Sequence, residues 1–185
     1  MRHDIGEGSA FVIRDLFDAG ACATWRARAE SVGFEENAPV TTIRGPQRMD
    51  EVRNNARAMC DRPEWADDLW SILQPQFPTF DGIAAPIGLN ERFRFYRYRA
   101  GQFFAPHHDG AFRRDATEVS LWTVLIYLTG GVVGGETRLL RHGVDIRPEA
   151  GTLLAFLHRQ PHEGAPVVSG EKVVLRIDVM YRFTR

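Results

Sequence analysis

Cysteine is scarce: Cys22 and Cys60 are the only two in 185 residues, far apart and in no CxxC pair. That scarcity excludes a disulfide scaffold and a cysteine-built metal cluster, and it fits a reducing cytoplasm in which both thiols are packing residues. A surplus of charge is missing too. Lys and Arg total 23 against 24 Asp and Glu, a net charge of −1, so no overall field points to nucleic acid or to a membrane surface. No stretch approaches the roughly 20 apolar residues of a membrane span. The first ten residues carry Arg2, Asp4 and Glu7 where a signal peptide would have its apolar core. Internal repeats, low-complexity tracts and an evident linker are also lacking. What is present is 44% apolar and 25% charged residues, the ordinary composition of a folded chain. The length suits one domain, 1–185, with one active site, and the expectation is a soluble cytoplasmic protein.

The pattern changes near Gly88. Before it, an apolar strand at Ala10 to Ile13 leads to a helix over Asp18 to Val32, with Asp18 as N-cap and Gly33 just past the end. Leu16, Phe17, Cys22, Trp25 and Ala29 form its apolar stripe. Pro63 in a first turn starts a second helix to Leu73, with Trp65, Leu69, Ile72 and Leu73 on its buried face. Residues 1–88 thus read as mainly helical support. After Gly88, short runs rich in Val, Ile, Phe and Tyr are separated by Gly, Pro and Asp turns. The predicted strands are Arg92 to Arg99, Leu121 to Leu128, Thr137 to Leu140, Thr152 to Leu157 and Lys172 to Tyr181. The fold class is α+β, with helices packed on a β-sandwich or jelly roll over 89–185.

Five of the six histidines follow residue 100. Side chains alternate along an extended chain, so His107 and Asp109 point the same way on either side of His108. His162 is available as a third ligand. Two imidazoles and one carboxylate on one face of a metal leave three positions open, which suits non-haem Fe(II) and dioxygen chemistry. His108, His142 and His158 have no matched partner and read as surface or supporting histidines.

The stretch from Tyr98 through Gly101, Phe104, His107 and Asp109 resembles the Tyr-x-x-Gly-x-x-Phe-x-x-His-x-Asp signature of the 2-oxoglutarate- and Fe(II)-dependent oxygenases, in particular their prolyl 4-hydroxylase-like branch. Gly134, Gly135, Glu136 and Thr137 are similar to that branch's Gly-Gly-Glu-Thr turn. His162, Gly164, Val167, Gly170 and Lys172 match its His-x-Gly-x-x-Val-x-x-Gly-x-Lys segment. The resemblance covers about half the chain. It implies a double-stranded β-helix, or cupin-like jelly roll, with iron held by His107, Asp109 and His162. It further implies that Lys172 binds the distal carboxylate of 2-oxoglutarate, with Tyr98 and Thr137 nearby. The implied reaction consumes O2 and 2-oxoglutarate, releases succinate and CO2, and hydroxylates an unactivated C–H, with ascorbate as an accessory reductant. Related halogenating enzymes replace the carboxylate ligand by a small residue; Asp109 is present, so oxygenation is expected.

Residue chemistry bears on the same assignments. A dianionic cosubstrate needs a cation in an apolar cavity, and a buried lysine without such a partner is costly. Val173, Leu175, Ile177 and Val179 form one apolar face, so Lys172, Val174, Arg176 and Asp178 turn to the cavity. Alternation puts Arg94 and Tyr96 on the face of Tyr98, which makes Arg94, Tyr96 and Arg176 the expected substrate contacts; Arg176 serves either cosubstrate or substrate. Asp178 stands where the prolyl enzymes often carry an aromatic. The substrate is an amino acid, a peptidyl residue such as proline, or a small metabolite. From Asn90 to Arg114 six arginines oppose Glu91 and Asp109, which favours an anionic one. A metal-dependent dioxygenase or isomerase without 2-oxoglutarate and a noncatalytic jelly-roll binding module are the alternatives. No basic aromatic groove for nucleic acid can be identified.

Overall fold

The helices form where local chemistry starts and stops them. In the computed structural model, which describes residues 1–42 and 44–184, helix α1 spans Ala19–Val32 and the Asp18 carboxylate accepts the Ala21 N–H at 2.7 Å. The Gly33 N–H, with φ of +86°, closes the helix onto the carbonyls of Ala29 and Glu30. Helix α2 spans Pro63–Leu73 and buries Ala66, Leu69 and Leu73. Ile72, expected on that buried face, is 51% exposed. It lies three positions after the buried Leu69, but the stripe runs through Leu73, and Ile72 falls on its solvent flank.

Both helices lie against an eight-stranded antiparallel sheet. Its order is Arg2–Ile5, Ala10–Ile13, Leu153–Leu157, Glu118–Tyr127, Lys172–Phe183, Arg92–Tyr98, Ala56–Asp61, with Ala84–Leu89 also paired to Lys172–Phe183. The N-terminal half, read as mainly helical, therefore supplies four strands of this sheet as well. Ala56–Asp61 escapes the pattern because its inward residues, Ala56 and Ala58, are too small to announce a strand.

Lys172–Phe183 is the middle of the sheet. Its first half pairs with Arg92–Tyr98, its second with Ala84–Leu89, and nearly all of it with Glu118–Tyr127 on the other side. One face packs Val173, Leu175, Ile177 and Val179 into the core under the helices, where Trp25 stacks on Phe93 at 5.5 Å and Phe77 meets Trp122 edge-on at 5.7 Å. The other face looks toward a second, four-stranded sheet ordered Val144–Ile146, Thr137–Leu139, His162–Gly164, Phe104–His107. Leu139 from this smaller sheet packs with Leu125, Tyr127, Leu154, Phe156 and Val174 of the larger one. That apolar filling occupies one end of the space between the sheets and leaves the other end for polar groups.

No helix among the described residues is long and apolar enough to cross a membrane. Leu175 is fully buried in the central strand, so Leu175→Ala should lower unfolding stability by about 2–5 kcal/mol, whereas Ile72→Ala should change it by less than about 0.5 kcal/mol in urea titrations.

Candidate functional site

At the polar end of the inter-sheet space, nitrogen and oxygen atoms of His107, Asp109 and His162 lie within 4.8 Å of one another. His107 ends the strand Phe104–His107, and His162 begins its neighbour, directly opposite in register. Strand alternation does not carry Asp109, because the chain leaves the strand at His107. Asp109 is held instead by its backbone N–H on the His158 carbonyl, at 3.2 Å.

Hydrogen bonds fix which atoms face inward. His107 Nδ1 lies 2.8 Å from the Ala105 carbonyl and His162 Nδ1 lies 3.0 Å from the Gln160 carbonyl. A carbonyl only accepts, so each Nδ1 carries the proton and each Nε2 keeps its lone pair. The two Nε2 atoms lie 3.9 and 3.7 Å from the Asp109 carboxylate. Burial lowers the pKa of His107 to about 4, with His162 adding to the shift, and burial lowers His162 as well. Both rings are therefore neutral at pH 7. Burial alone would raise the Asp109 carboxyl, but the Arg176 guanidinium, together with the hydrogen bond from Thr123, outweighs it and holds the group ionised. Two neutral imidazoles and one carboxylate, oriented by backbone acceptors, are the donor set of an open iron site.

A polar chain that the sequence did not disclose supports Asp109. Phe112 N–H donates to Ser120 Oγ at 2.8 Å, and Ser120 Oγ lies 2.8 Å from His158 Nε2. Thr123 Oγ1 lies 2.9 Å from His158 Nδ1 and donates to Asp109 Oδ2 at 2.6 Å. Burial lowers the His158 pKa. The neutral ring thus accepts a hydrogen bond from the Ser120 hydroxyl at Nε2 and donates from Nδ1 to Thr123 Oγ1. Ser120 and Thr123 share this site despite their odd spacing because the pairing slips there: Met180 faces Ser120 and Val179 faces Trp122, which leaves Leu121 as a bulge.

Deeper in the same cavity lies Lys172, only 3% exposed. Its Nζ donates to the Gly135 carbonyl at 2.6 Å and sits over the rings of Tyr98 and Tyr127 at 5.0 and 5.6 Å. Gly135 has φ of +70°, and a Cβ there would stand 2.9 Å from Val167 and 3.4 Å from the Lys172 stem, so the turn needs glycine on both counts. Burial pushes the Lys172 pKa down to about 7, with Glu136 opposing the shift. A buried ammonium with one acceptor for three protons is the orphaned cation that an entering carboxylate would satisfy. Thr137 lines the cavity beside it and its Oγ1 accepts from the Tyr127 hydroxyl at 2.8 Å.

The inner cavity brings together His107, Asp109, His162, Tyr98, Thr137 and Lys172, along with Tyr96 and Arg176. Arg94 stands apart, on an outer cleft of about 520 Å³ that opens over His107 and Asp109. Neither expected arginine is free. Arg176 lies 3.2 Å from Asp109 Oδ1 and 3.2 Å from Asp178 Oδ1, and Arg94 lies 3.3 Å from Asp178 Oδ2. Asn90 donates to the same Asp178 oxygen at 2.8 Å. Asp178, 1% exposed, is thus the buried counter-ion of both arginines.

Residues 93–177 match the sequence model of the 2OG-Fe(II) oxygenase superfamily, so the resemblance read from the motifs is borne out. Prolyl 4-hydroxylase 1 of Arabidopsis thaliana is 24% identical over 186 residues, which cover 87% of this chain and 65% of that protein. The chain therefore spans a little under two thirds of this curated relative. Among solved structures, the 2OG complex of the viral collagen prolyl hydroxylase vCPH from Paramecium Bursaria Chlorella virus-1 superposes with a TM-score of 0.64 at 20% identity, covering 93% of this chain and 96% of that one. A Pseudomonas putida prolyl-4-hydroxylase gives 0.65 at 23%, with 92% of both chains covered. A prolyl hydroxylase from Trichoplax adhaerens, in complex with a hypoxia inducible factor oxygen degradation domain peptide fragment, gives 0.66 at 18%, covering 92% and 83%. These likenesses show the shared, mainly antiparallel β fold.

The depressed Lys172 pKa has a measurable sign. Between about pH 7 and the usual lysine value of 10.5, the unfolded chain holds a proton that the folded chain has lost, so stability rises with pH, by at most about 1.4 kcal/mol per unit. Ligand-free wild type should therefore gain stability relative to Lys172→Met from pH 7.5 to 9.5 in parallel urea titrations; parallel profiles would show that Lys172 stays protonated.

Proposed function

We propose that this chain, which resembles the 2-oxoglutarate- and Fe(II)-dependent oxygenases of the prolyl 4-hydroxylase-like branch, hydroxylates an unactivated C–H and releases succinate and CO2. The observation that carries the reading is one cavity holding an oriented His107–Asp109–His162 donor set at its mouth and a buried, undercompensated Lys172 at its depth. An alternative without 2-oxoglutarate leaves that lysine with no counter-charge. The two facing sheets support the reading of a double-stranded β-helix, in one oxygenase domain spanning 1–185. Cys22 and Cys60, both free, support a reducing, cytoplasmic location.

In this proposal His107, Asp109 and His162 hold Fe(II), and Lys172 binds the distal carboxylate of 2-oxoglutarate. Bound iron, 2-oxoglutarate and O2 together supply the oxidising power for C–H hydroxylation. The chain's own residues orient and insulate. Ala105 and Gln160 hold the imidazoles in the ligating tautomer, and Thr123 and Arg176 hold the two Asp109 oxygens. The Lys172 ammonium, repelled by its own burial, regains a partner when a carboxylate arrives. Tyr98, with its pKa raised by burial, stays a phenol, and Tyr98 and Thr137 offer hydroxyls beside that ammonium. Phe104 stacks on the His107 ring at 3.7 Å and walls that side from water. The substrate enters by the outer cleft, past Tyr96, Arg94 and Arg176. The relatives' names make peptidyl proline the first substrate to test, alongside free amino acids and small metabolites.

Purified protein with Fe(II), ascorbate and labelled 2-oxoglutarate should form labelled succinate, and His107→Ala should abolish it. Lys172→Ala should raise the 2-oxoglutarate concentration needed for half-maximal turnover by about 10- to 100-fold. No succinate with any of these substrates, or turnover indifferent to His107, would refute the assignment.

A further inference from the structure

The outer cleft carries more positive charge than its neighbours can neutralise. Four guanidinium groups line it: Arg53, Arg57, Arg94 and Arg176. The carboxylates at hand are Asp109 on its wall, Asp178 beneath, and Glu35 on the chain bridged to Arg57; the first two are engaged by Arg176 and Arg94, and Glu35 pairs with Arg48. Arg53 and Arg57 are different. Among the described residues no carboxylate lies within salt-bridge distance of either, and their hydrogen bonds run only to main-chain carbonyls. Arg53 donates to Ala38 and Pro39 at 2.8 and 3.3 Å, and Arg57 donates to Pro39 at 3.3 Å.

Arg53 is 4% exposed and its Nε has no partner. Its guanidinium lies over the rings of Tyr96 and Phe104 at 5.4 and 5.2 Å, and Phe104 in turn stacks on His107. The orphaned cation is therefore one aromatic ring away from the metal ligands. Arg57, half-buried, comes from the neighbouring edge strand Ala56–Asp61, where it pairs in register with Tyr96. Its pKa is lowered by burial and by the proximity of Arg53, which outweigh the opposing pull of Tyr96 and of Glu35, whose carboxylate is itself paired with Arg48 at 3.6 Å.

We propose that Arg53 and Arg57 form an anion subsite for a carboxylate of the substrate, placing the oxidised C–H over His107, Asp109 and His162. The subsite rests on the oxygenase reading and moves the expected substrate contacts away from Arg94 and Arg176, whose charges are already spent on Asp178 and Asp109. A carboxylate matches the planar guanidinium fork, and its charge removes the repulsion between the two arginines. The carboxylate is either the terminal group of a small acid or an acidic side chain within a peptide, and matched probes separate the two.

The test is calorimetric binding to the Mn(II)-loaded protein saturated with N-oxalylglycine, which blocks the Lys172 pocket. The probe pairs are L-proline and L-prolinamide, L-glutamate and L-glutamine, and a blocked Gly-Asp-Pro-Gly peptide and its Gly-Asn-Pro-Gly counterpart. At least one acid should bind about tenfold more tightly than its amide mate, which has one carboxylate fewer. Preference in the free pairs alone identifies a small acid, and preference in the blocked peptide alone an acidic peptide. Arg57→Gln should erase the preference and Arg57→Lys should restore part of it. Acid and amide binding equally in every pair, no binding by any acid, or a preference that survives both Arg57→Gln and Arg53→Gln would overturn the proposal. If N-oxalylglycine fails to bind while the acid preference persists, the cosubstrate reading falls and the anion subsite stands.

Discussion

A strand buried on both faces cannot carry charge unless each charge has a partner, and that constraint organises this molecule. Lys172–Phe183 runs through the middle of the larger sheet, apolar toward the helices, with Lys172, Arg176 and Asp178 turned into the space between the sheets. Arg176 is compensated on both sides, by Asp109 and Asp178. Lys172 is not: it has a single carbonyl, two aromatic faces and a pKa driven down by burial. An internal pair contributes structure, and an unpaired buried cation marks where a ligand's charge must go.

The same strand therefore separates the tasks of the cavity along its length. At the Lys172 end the walls are glycine, tyrosine and threonine around one orphaned cation. Four residues on, Arg176 reaches the Asp109 carboxylate and, with Asn90 and Arg94, ties Asp178 into a closed network. Beyond that network lies the open cleft, where, among the described residues, Arg53 and Arg57 have no carboxylate within salt-bridge distance. Compensated groups hold Asp109 in place, and cations without a carboxylate in salt-bridge distance flank it on either side.

Much of this was legible in the sequence, because it rests on local rules. Asp18, Gly33 and Pro63 set the helix limits by capping chemistry, and the period-two pattern of Lys172 to Tyr181 sorted the apolar from the charged face. The His107, Asp109 and His162 set was readable from spacing together with the three ordered motifs. What escaped the sequence depends on contacts between distant segments. Ser120 and Thr123 reach one site only through the bulge at Leu121, which no periodicity announces. Phe104–His107 and His162–Gly164 are four and three residues long, too short to register as strands. The six arginines between Asn90 and Arg114 read as a basic stretch beside the pocket, yet Arg97 and Arg99 pair with Glu30, Glu36 and Glu171 at the surface. The two cleft arginines that no salt bridge engages among the described residues, Arg53 and Arg57, came from the half of the chain read as support.

The central claim is that the metal ligands and Lys172 act on one bound molecule. Calorimetric titration of 2-oxoglutarate into the protein under argon, with and without Fe(II), tests it most directly. One 2-oxoglutarate per chain should bind, about tenfold or more tightly when the metal is present, because one ligand then satisfies both the cation at depth and the metal at the mouth. Affinity that is the same with and without Fe(II), or no binding in either case, would contradict the account.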